Sequence, residues 1–188
     1  MSVGKATKDL YKNTLLSLAK ARPLSKITLK DILDCSQTAK QTFYNHFADK
    51  YALINYVMYD FVEAIEATHA MRCYQGILSV LSFTKENSYF FTAIVKNDHP
   101  SNFPEFFYRW CINYYVAALH KEYGLKVISP DIKIAIDFYC HGAVGIYIDW
   151  IQSGMGEAKE LIAKAIVTCR PKALDFYFPI ENSRGGSC

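Results

Sequence analysis

Six closely spaced polar side chains form the part of this sequence best suited to specific hydrogen-bond chemistry. They lie in the segment KQTFYNHF and are Lys40, Gln41, Thr42, Tyr44, Asn45 and His46. Gln and Asn can pair bidentately with adenine edges, Lys can donate to guanine, and Thr, Tyr and His can bond phosphate oxygens. This combination indicates a surface that reads nucleic acid.

Two short helical patterns joined by a turn must present these side chains. The first begins at Thr28, with Asp31 placed three residues later to close a capping box, and its apolar stripe is Leu29, Ile32 and Leu33. The pattern stops at residues 36–38 and resumes in a second helix, where Phe43 and Phe47 share one face. Two short helices joined by a turn of about three or four residues form a helix-turn-helix.

The motifs ITLKDIL, TFYNHF and ADKYAL, in this order, resemble the N-terminal domain of the TetR family of bacterial transcriptional regulators. In that family the segment that matches TFYNHF is the recognition helix. The resemblance implies that a double-stranded DNA operator is the partner and that Lys40, Gln41 and Asn45 contact bases. It also implies phosphate contacts from Thr28, Thr42, Tyr44, His46 and Lys50.

Two residues depart from the family pattern, which matches this chain from Lys5 to about Val57. Gln37 stands where the turn usually has glycine, and Ala39 stands where the recognition helix usually begins with Ser or Thr. A non-glycine residue tolerates a left-handed turn poorly, and Ala cannot cap a helix, so Thr38 is an alternative cap. The other interpretation of the stretch is an ordinary helical hairpin with polar residues facing water.

The charge distribution also separates the first 50 residues from the rest. They contain nine Lys or Arg against four Asp, a net +5, whereas the remainder has 12 basic and 14 acidic residues, a net −2. Such asymmetry is typical of a nucleic-acid-binding end attached to a body with another role. An amphipathic helix from Lys8 to Ala21, ended by Pro23, is expected to cover the helix-turn-helix.

The remaining sequence predicts helices throughout and no strand. A connecting helix capped by Asp49 is expected from Lys50 to about His69. Further helices are expected up to Lys85, near residues 88–95, over 105–123 with Gly124 at its end, and over 130–153 and 157–177, the last bent at Pro171. The predicted fold is all-α with about nine helices. The predicted domains are a helix-turn-helix domain, residues 1–53, a helical regulatory and dimerisation domain, 54–180, and a disordered tail, 181–188.

The late helices 130–153 and 157–177 are apolar on more than one face. Gly142 and Gly145 in the first would allow another backbone to approach closely. A helix that is apolar all round has to be buried all round, so we expect a twofold homodimer through these two long helices. A central helix buried inside a monomer is the alternative.

Neither catalytic nor metal-binding residues stand out at a recognisable spacing, and nothing in the sequence calls for a cofactor. The chain is therefore not expected to be an enzyme. A pocket for an apolar effector could involve Phe90, Phe107, Trp110, Tyr114 and His141, although ordinary core packing explains these residues equally well. The N-terminus lacks an apolar signal region and charges interrupt the most apolar window, which predicts a cytoplasmic protein that does not span a membrane.

These observations favour a homodimeric DNA-binding repressor controlled through its C-terminal domain. One alternative is an activator controlled by a protein partner, because TFYNHF also resembles the subgroup that contains dihydroxyacetone kinase operon activators. A protein-interaction module that has lost DNA binding is the other, because Gln37 and Ala39 depart from the family pattern.

Overall fold

The computed structural model describes residues 3–67, 70–96 and 102–178. Within these ranges the chain forms nine α-helices and three short 3-10 turns, without a strand. The predicted all-α class is thus confirmed. The predicted disordered tail, residues 181–188, lies outside the described residues.

Three N-terminal helices form a small head around one aromatic cluster. They are α1 (Val3–Ala21), α2 (Leu29–Ser36) and α3 (Lys40–Tyr44), with a 3-10 turn at Leu24–Lys26 between the first two. Tyr11 of α1 is completely buried, and its ring centroid lies 5.2 Å from that of Phe43 and 6.1 Å from that of Phe47. As predicted, α1 covers the apolar side of the helix-turn-helix.

Helix α4 (Lys50–Ala67) connects this head to the rest of the molecule. The Asp49 carboxylate accepts a hydrogen bond from the Ala52 N–H at 2.8 Å, as expected for the residue that caps α4. Farther along, α4 forms an ion pair with α1, in which Lys12 Nζ lies 2.5 Å from Asp60 Oδ2. Burial alone would lower the pKa of Lys12, but the hydrogen bonds and charges of Asp60 and Asp9 together outweigh burial and raise it.

The body consists of five further helices that pack around aromatic side chains. They are α5 (Tyr74–Glu86), α6 (Ser88–Ile94), α7 (Phe103–Tyr123), α8 (Pro130–Gln152) and α9 (Lys159–Thr168). Helix α7 packs on α8, and α5 packs on α9. The Phe61 ring of α4 stacks on Phe83 of α5 with 4.7 Å between centroids, so the connecting helix shares the core of the body.

Helix ends follow local signals in the sequence, with two differences from the prediction. Gly124 ends α7 in a left-handed conformation, with φ 63°, as the sequence suggested. Helix α1 begins at Val3, before the predicted Lys8. Helix α9 ends at Thr168 instead of continuing to Tyr177, because Pro171 cannot supply a helical N–H, and a 3-10 turn at Lys172–Leu174 follows.

The outer sides of α8 and α9 expose large apolar side chains. Phe138 is 73% exposed, Ile134 67% and Leu161 61%, whereas Ile136, Tyr147 and Ile151 of α8 point into the core. Gly142 and Gly145 also lie on the exposed side of α8. The prediction that α8 is apolar on more than one face is therefore confirmed. None of the described helices is long and apolar enough to cross a membrane.

Candidate nucleic-acid interface

The start of α2 is fixed by a complete capping box. The Asp31 N–H donates to Thr28 Oγ1 at 3.2 Å, and the Thr28 N–H donates to Asp31 Oδ2 at 2.7 Å. The hydrogen bonds from Thr28, helped by Arg22, hold the pKa of Asp31 below its usual value. The predicted capping box is confirmed, but the Arg22 ion pair, with 3.0 Å between Nη2 and Asp31 Oδ1, was not foreseen.

The turn between α2 and α3 adopts the left-handed conformation that the family pattern requires, although it lacks glycine. Gln37 has φ 51° and ψ 42°, and its N–H bonds the Leu33 carbonyl. Thr38 does not cap α3: its hydroxyl accepts from Tyr11 OH at 2.8 Å and lies 2.8 Å from Ser36 Oγ. Ala39 starts the helix without a side-chain cap. The expectation that Thr38 replaces the missing cap is therefore wrong.

Helix α3 is anchored by one face and presents the other. Phe43 is fully buried, whereas Lys40, Gln41, Tyr44 and Asn45 are exposed. The Gln41 amide donates to Asn45 Oδ1 at 3.2 Å, and Lys40 Nζ lies 5.7 Å from the centre of the Tyr44 ring. The predicted base-contacting residues therefore form one continuous polar surface.

The expected phosphate-contacting residues lie in the same head and differ in exposure. Thr28 is exposed at the start of α2, and Tyr44 is 45% exposed on α3. Thr42 and His46 are half-buried. Thr28 lies at the start of α2, and the other three lie on or just after α3, so all four belong to the head.

Lys50 has a position that the sequence did not reveal. Its Nζ donates to the carbonyl oxygens of Ile27 at 2.9 Å and Leu24 at 3.3 Å, which joins the start of α4 to the 3-10 turn before α2. Burial lowers the pKa of Lys50. A lysine ammonium has three N–H donors, so one remains for another acceptor.

A family model described as a transcriptional regulator C-terminal region, of the TetR type, matches residues 72–169, which is just over half of the chain. The chain belongs to the TetR family of transcriptional regulators. The match covers the body, and the helix-turn-helix described above precedes it.

Individual TetR-family and helix-turn-helix proteins are similar to this chain. The uncharacterized HTH-type transcriptional regulator YxbF of Bacillus subtilis (strain 168) is 27% identical over 99 residues, and the match spans 47% of this chain but only 26% of that protein. The structure of the dihydroxyacetone kinase operon activator DhaS superposes with a TM-score of 0.67 at 22% identity, covering 86% of this chain and 92% of DhaS. A TetR-family regulator from Syntrophomonas wolfei (strain Goettingen) gives 0.59 at 15% identity, covering 95% and 99%. At these identities the structural matches establish the fold.

Three of the residues suggested for an effector pocket contact one another in this TetR-family body: the Phe107 and Trp110 rings stack with 5.7 Å between centroids, and the Trp110 and Tyr114 centroids lie 5.5 Å apart. The effector pocket itself stays a prediction. Phe107 lines a cavity of about 30 Å³ between α5, α7, α8 and α9 that none of the other four residues lines. Such a cavity holds a water or two and is far below the roughly 300–1,000 Å³ of ligand sites. His141 is exposed, with Nδ1 2.9 Å from the Asp137 carbonyl oxygen, so it lies on the outer side of α8.

Proposed function

We propose that the protein regulates transcription as a homodimer that reads a near-palindromic DNA operator in the major groove, and that it acts as a repressor. The observation that carries this proposal is the division of α3 into a buried Phe43 face and an exposed polar face of Lys40, Gln41 and Asn45. Side chains on one exposed helical face can reach base edges together. The C-terminal body would control this binding.

The surrounding residues are suited to hold the duplex in register. Thr42, Tyr44 and His46 would donate to phosphate oxygens, and Thr28 would do so by turning the hydroxyl that donates to Asp31 Oδ2 at 2.7 Å. Lys50 would use the N–H that the Leu24 and Ile27 carbonyls leave over. Both departures from the family pattern are accommodated, because Gln37 adopts the left-handed turn and α3 begins without a capping side chain. This supports a working DNA-binding head over a module that has lost this activity.

A second copy is needed because α3 is only five residues long. Each good bidentate pair is worth about 1–3 kcal/mol of discrimination, so one head offers little selectivity. Two heads about 34–36 Å apart would read successive major grooves of a palindrome. The exposed apolar side of α8 and α9, which includes Phe138, Ile134 and Leu161, is suited to bury itself against its own copy.

An activator is the second candidate. The observation in its favour is the TFYNHF form of the recognition helix, together with the structural similarity to a protein named as an operon activator. Reporter transcription from the bound promoter separates the two roles. Expression that falls when the protein is supplied supports repression, and expression that rises supports activation.

A gel shift with the DNA upstream of the protein's own gene tests DNA binding itself. We expect a shift at low salt that Lys40→Ala weakens, whereas Lys126→Ala, outside the head, leaves it unchanged. If folded dimer produces no shift with this DNA or with fragments selected from the host genome, the proposal fails and the interaction module is favoured.

A further inference from the structure

A cleft of about 910 Å³ lies where the head meets the body. Residues 19–25, with Lys50 and Tyr51, form its head side. Its body side consists of Ser88, Tyr89, Thr92 and Ala93 of α6, Lys96 just beyond that helix, and Gly154 in the turn after α8. The volume falls within the range of small-molecule sites. Because the two walls belong to different parts of the molecule, one occupant would touch both.

Four cationic side chains line this cleft: Lys20, Arg22, Lys50 and Lys96. Among the described residues no carboxylate does so. Arg22 pairs with Asp31, and two N–H groups of Lys50 bond carbonyls, but Lys20 and Lys96 expose their side chains on opposite walls. Like charges around one concave space repel each other and focus a positive potential, which an anion relieves. The charge of the cleft therefore selects an anionic occupant.

The other groups that line the cleft are suited to bind a ligand that carries a planar ring and hydroxyl groups. Tyr89 is 67% exposed on the body side, and Tyr51 is partly exposed on the head side with Lys50 Nζ 5.5 Å from its ring centre. Exposed aromatic faces can stack on a planar ring. Ser25, Ser88 and Thr92 add hydroxyl groups that both donate and accept hydrogen bonds.

We propose that this cleft binds a small organic phosphate that carries a planar ring, a ligand of the nucleotide class. The phosphate would lie between Lys20 and Lys96, with Arg22 able to contribute N–H groups, and the ring would stack on Tyr89. The site shares Lys50 with the proposed phosphate contacts, but none of residues 40–46, which include the proposed base contacts, lines it.

Binding at this position would couple a ligand to DNA affinity, a consequence that rests on the proposed function. An anion that contacts both walls favours one arrangement of the head relative to α6. If the arrangements differ in operator affinity, ligand binding changes operator affinity, and operator binding changes ligand affinity by the same factor. The ligand-binding step itself does not depend on DNA.

Isothermal titration calorimetry of the full chain without DNA tests the site with ADP as the probe. We expect saturable binding that weakens at higher salt, and weaker binding of adenosine and of pyrophosphate than of ADP. Lys96→Glu and Lys20→Glu should each weaken ADP binding at least tenfold. Lys126→Glu, an exposed lysine outside the cleft, should change it less than twofold, and circular dichroism should show all variants folded.

Three results would overturn the inference. One is the absence of saturable ADP binding at millimolar concentration. Another is an equal effect of Lys96→Glu and Lys126→Glu. The third is loss of ADP binding in Lys40→Ala, which would place the anion on the DNA-reading surface.

Tyr89→Ala gives an independent check, since it should weaken the binding of ADP but not that of pyrophosphate. A separate gel shift reports on DNA binding, so failure of either proposal can be distinguished from failure of the other.

Discussion

At the residue scale, the proposed interface separates side chains that read bases from side chains that hold the backbone. Gln41 and Asn45 bond each other at 3.2 Å on the exposed face of α3, which limits their rotamers before DNA arrives. A pair already oriented loses less conformational entropy on binding. Specificity should therefore depend on these two amides more than on the surrounding phosphate contacts.

Substitution of either amide should change sequence preference. We expect Gln41→Ala or Asn45→Ala to reduce discrimination by about 1–3 kcal/mol at one base position in each half-site, with little change in the salt dependence. Binding to an operator series with single base changes measures this. Equal losses on operator and random DNA would show that these residues do not read bases.

Lys50 should have two separable roles. Replacing it with Met removes the donor to the Leu24 and Ile27 carbonyls, so we expect stability to fall by about 1 kcal/mol. The slope of log affinity against log salt should also fall by about one, because one phosphate contact is lost. Chemical denaturation and salt-dependent gel shifts measure the two effects, with Lys126→Met as a control. An unchanged slope would remove Lys50 from the phosphate contacts.

At the scale of elements, the turn between α2 and α3 contains a local conformational cost. Gln37 is held at φ 51°, and the left-handed conformation costs a residue with a Cβ about 1 kcal/mol or more. The two neighbours of Gln37, Ser36 and Thr38, hold the turn through hydroxyl contacts that also reach Tyr11. The geometry of the helix-turn-helix is thus maintained by packing on α1.

Glycine at this position should stabilise the protein. We expect Gln37→Gly to raise the free energy of unfolding by up to about 1 kcal/mol. Glycine relieves the strain of the left-handed turn, but the greater conformational entropy that it gives the unfolded chain cancels part of this gain. Ala117→Gly, at an exposed site inside α7, is the matched control and should lower it by about 1 kcal/mol. Thermal or urea denaturation measures both. A loss of stability in Gln37→Gly would contradict the assigned turn conformation.

The sequence predicted those features of the elements that depend on nearby residues. The Thr28–Asp31 capping box, the Asp49 cap and the Gly124 end of α7 each involve partners within a few positions, so periodicity and residue type were enough. The bond from Tyr11 to Thr38 joins residues 27 positions apart, and that from Lys50 to Leu24 joins residues 26 apart. Only the packing of α1 on the helix-turn-helix, and of α4 on the turn before α2, brings such partners together. Likewise, residue type alone could not show that His141 lies on the outer side of α8.

At the scale of the whole molecule, operator binding requires two copies that join through their α8 and α9 faces. Phe138→Glu puts a charge into the middle of this apolar surface, and burying an unpaired charge is costly. We expect the variant to sediment as a monomer at micromolar concentration and to bind operator at least tenfold more weakly.

Phe176→Glu provides the matched control, since Phe176 is also an exposed phenylalanine but lies beyond α9. It should remain a dimer and bind normally. Analytical ultracentrifugation and gel shift together measure both properties. A Phe138→Glu variant that stays dimeric would move the interface away from α8.

Hydroxyl-radical footprinting of an operator selected from the host genome shows whether a homodimer reads a palindrome. We expect two protected regions related by twofold symmetry, with centres about one helical turn, or 10–10.5 base pairs, apart or a multiple of it, and their loss in Lys40→Ala. One unpaired protected region, or none in the presence of folded dimer at low salt, would show that the protein does not bind DNA in this way.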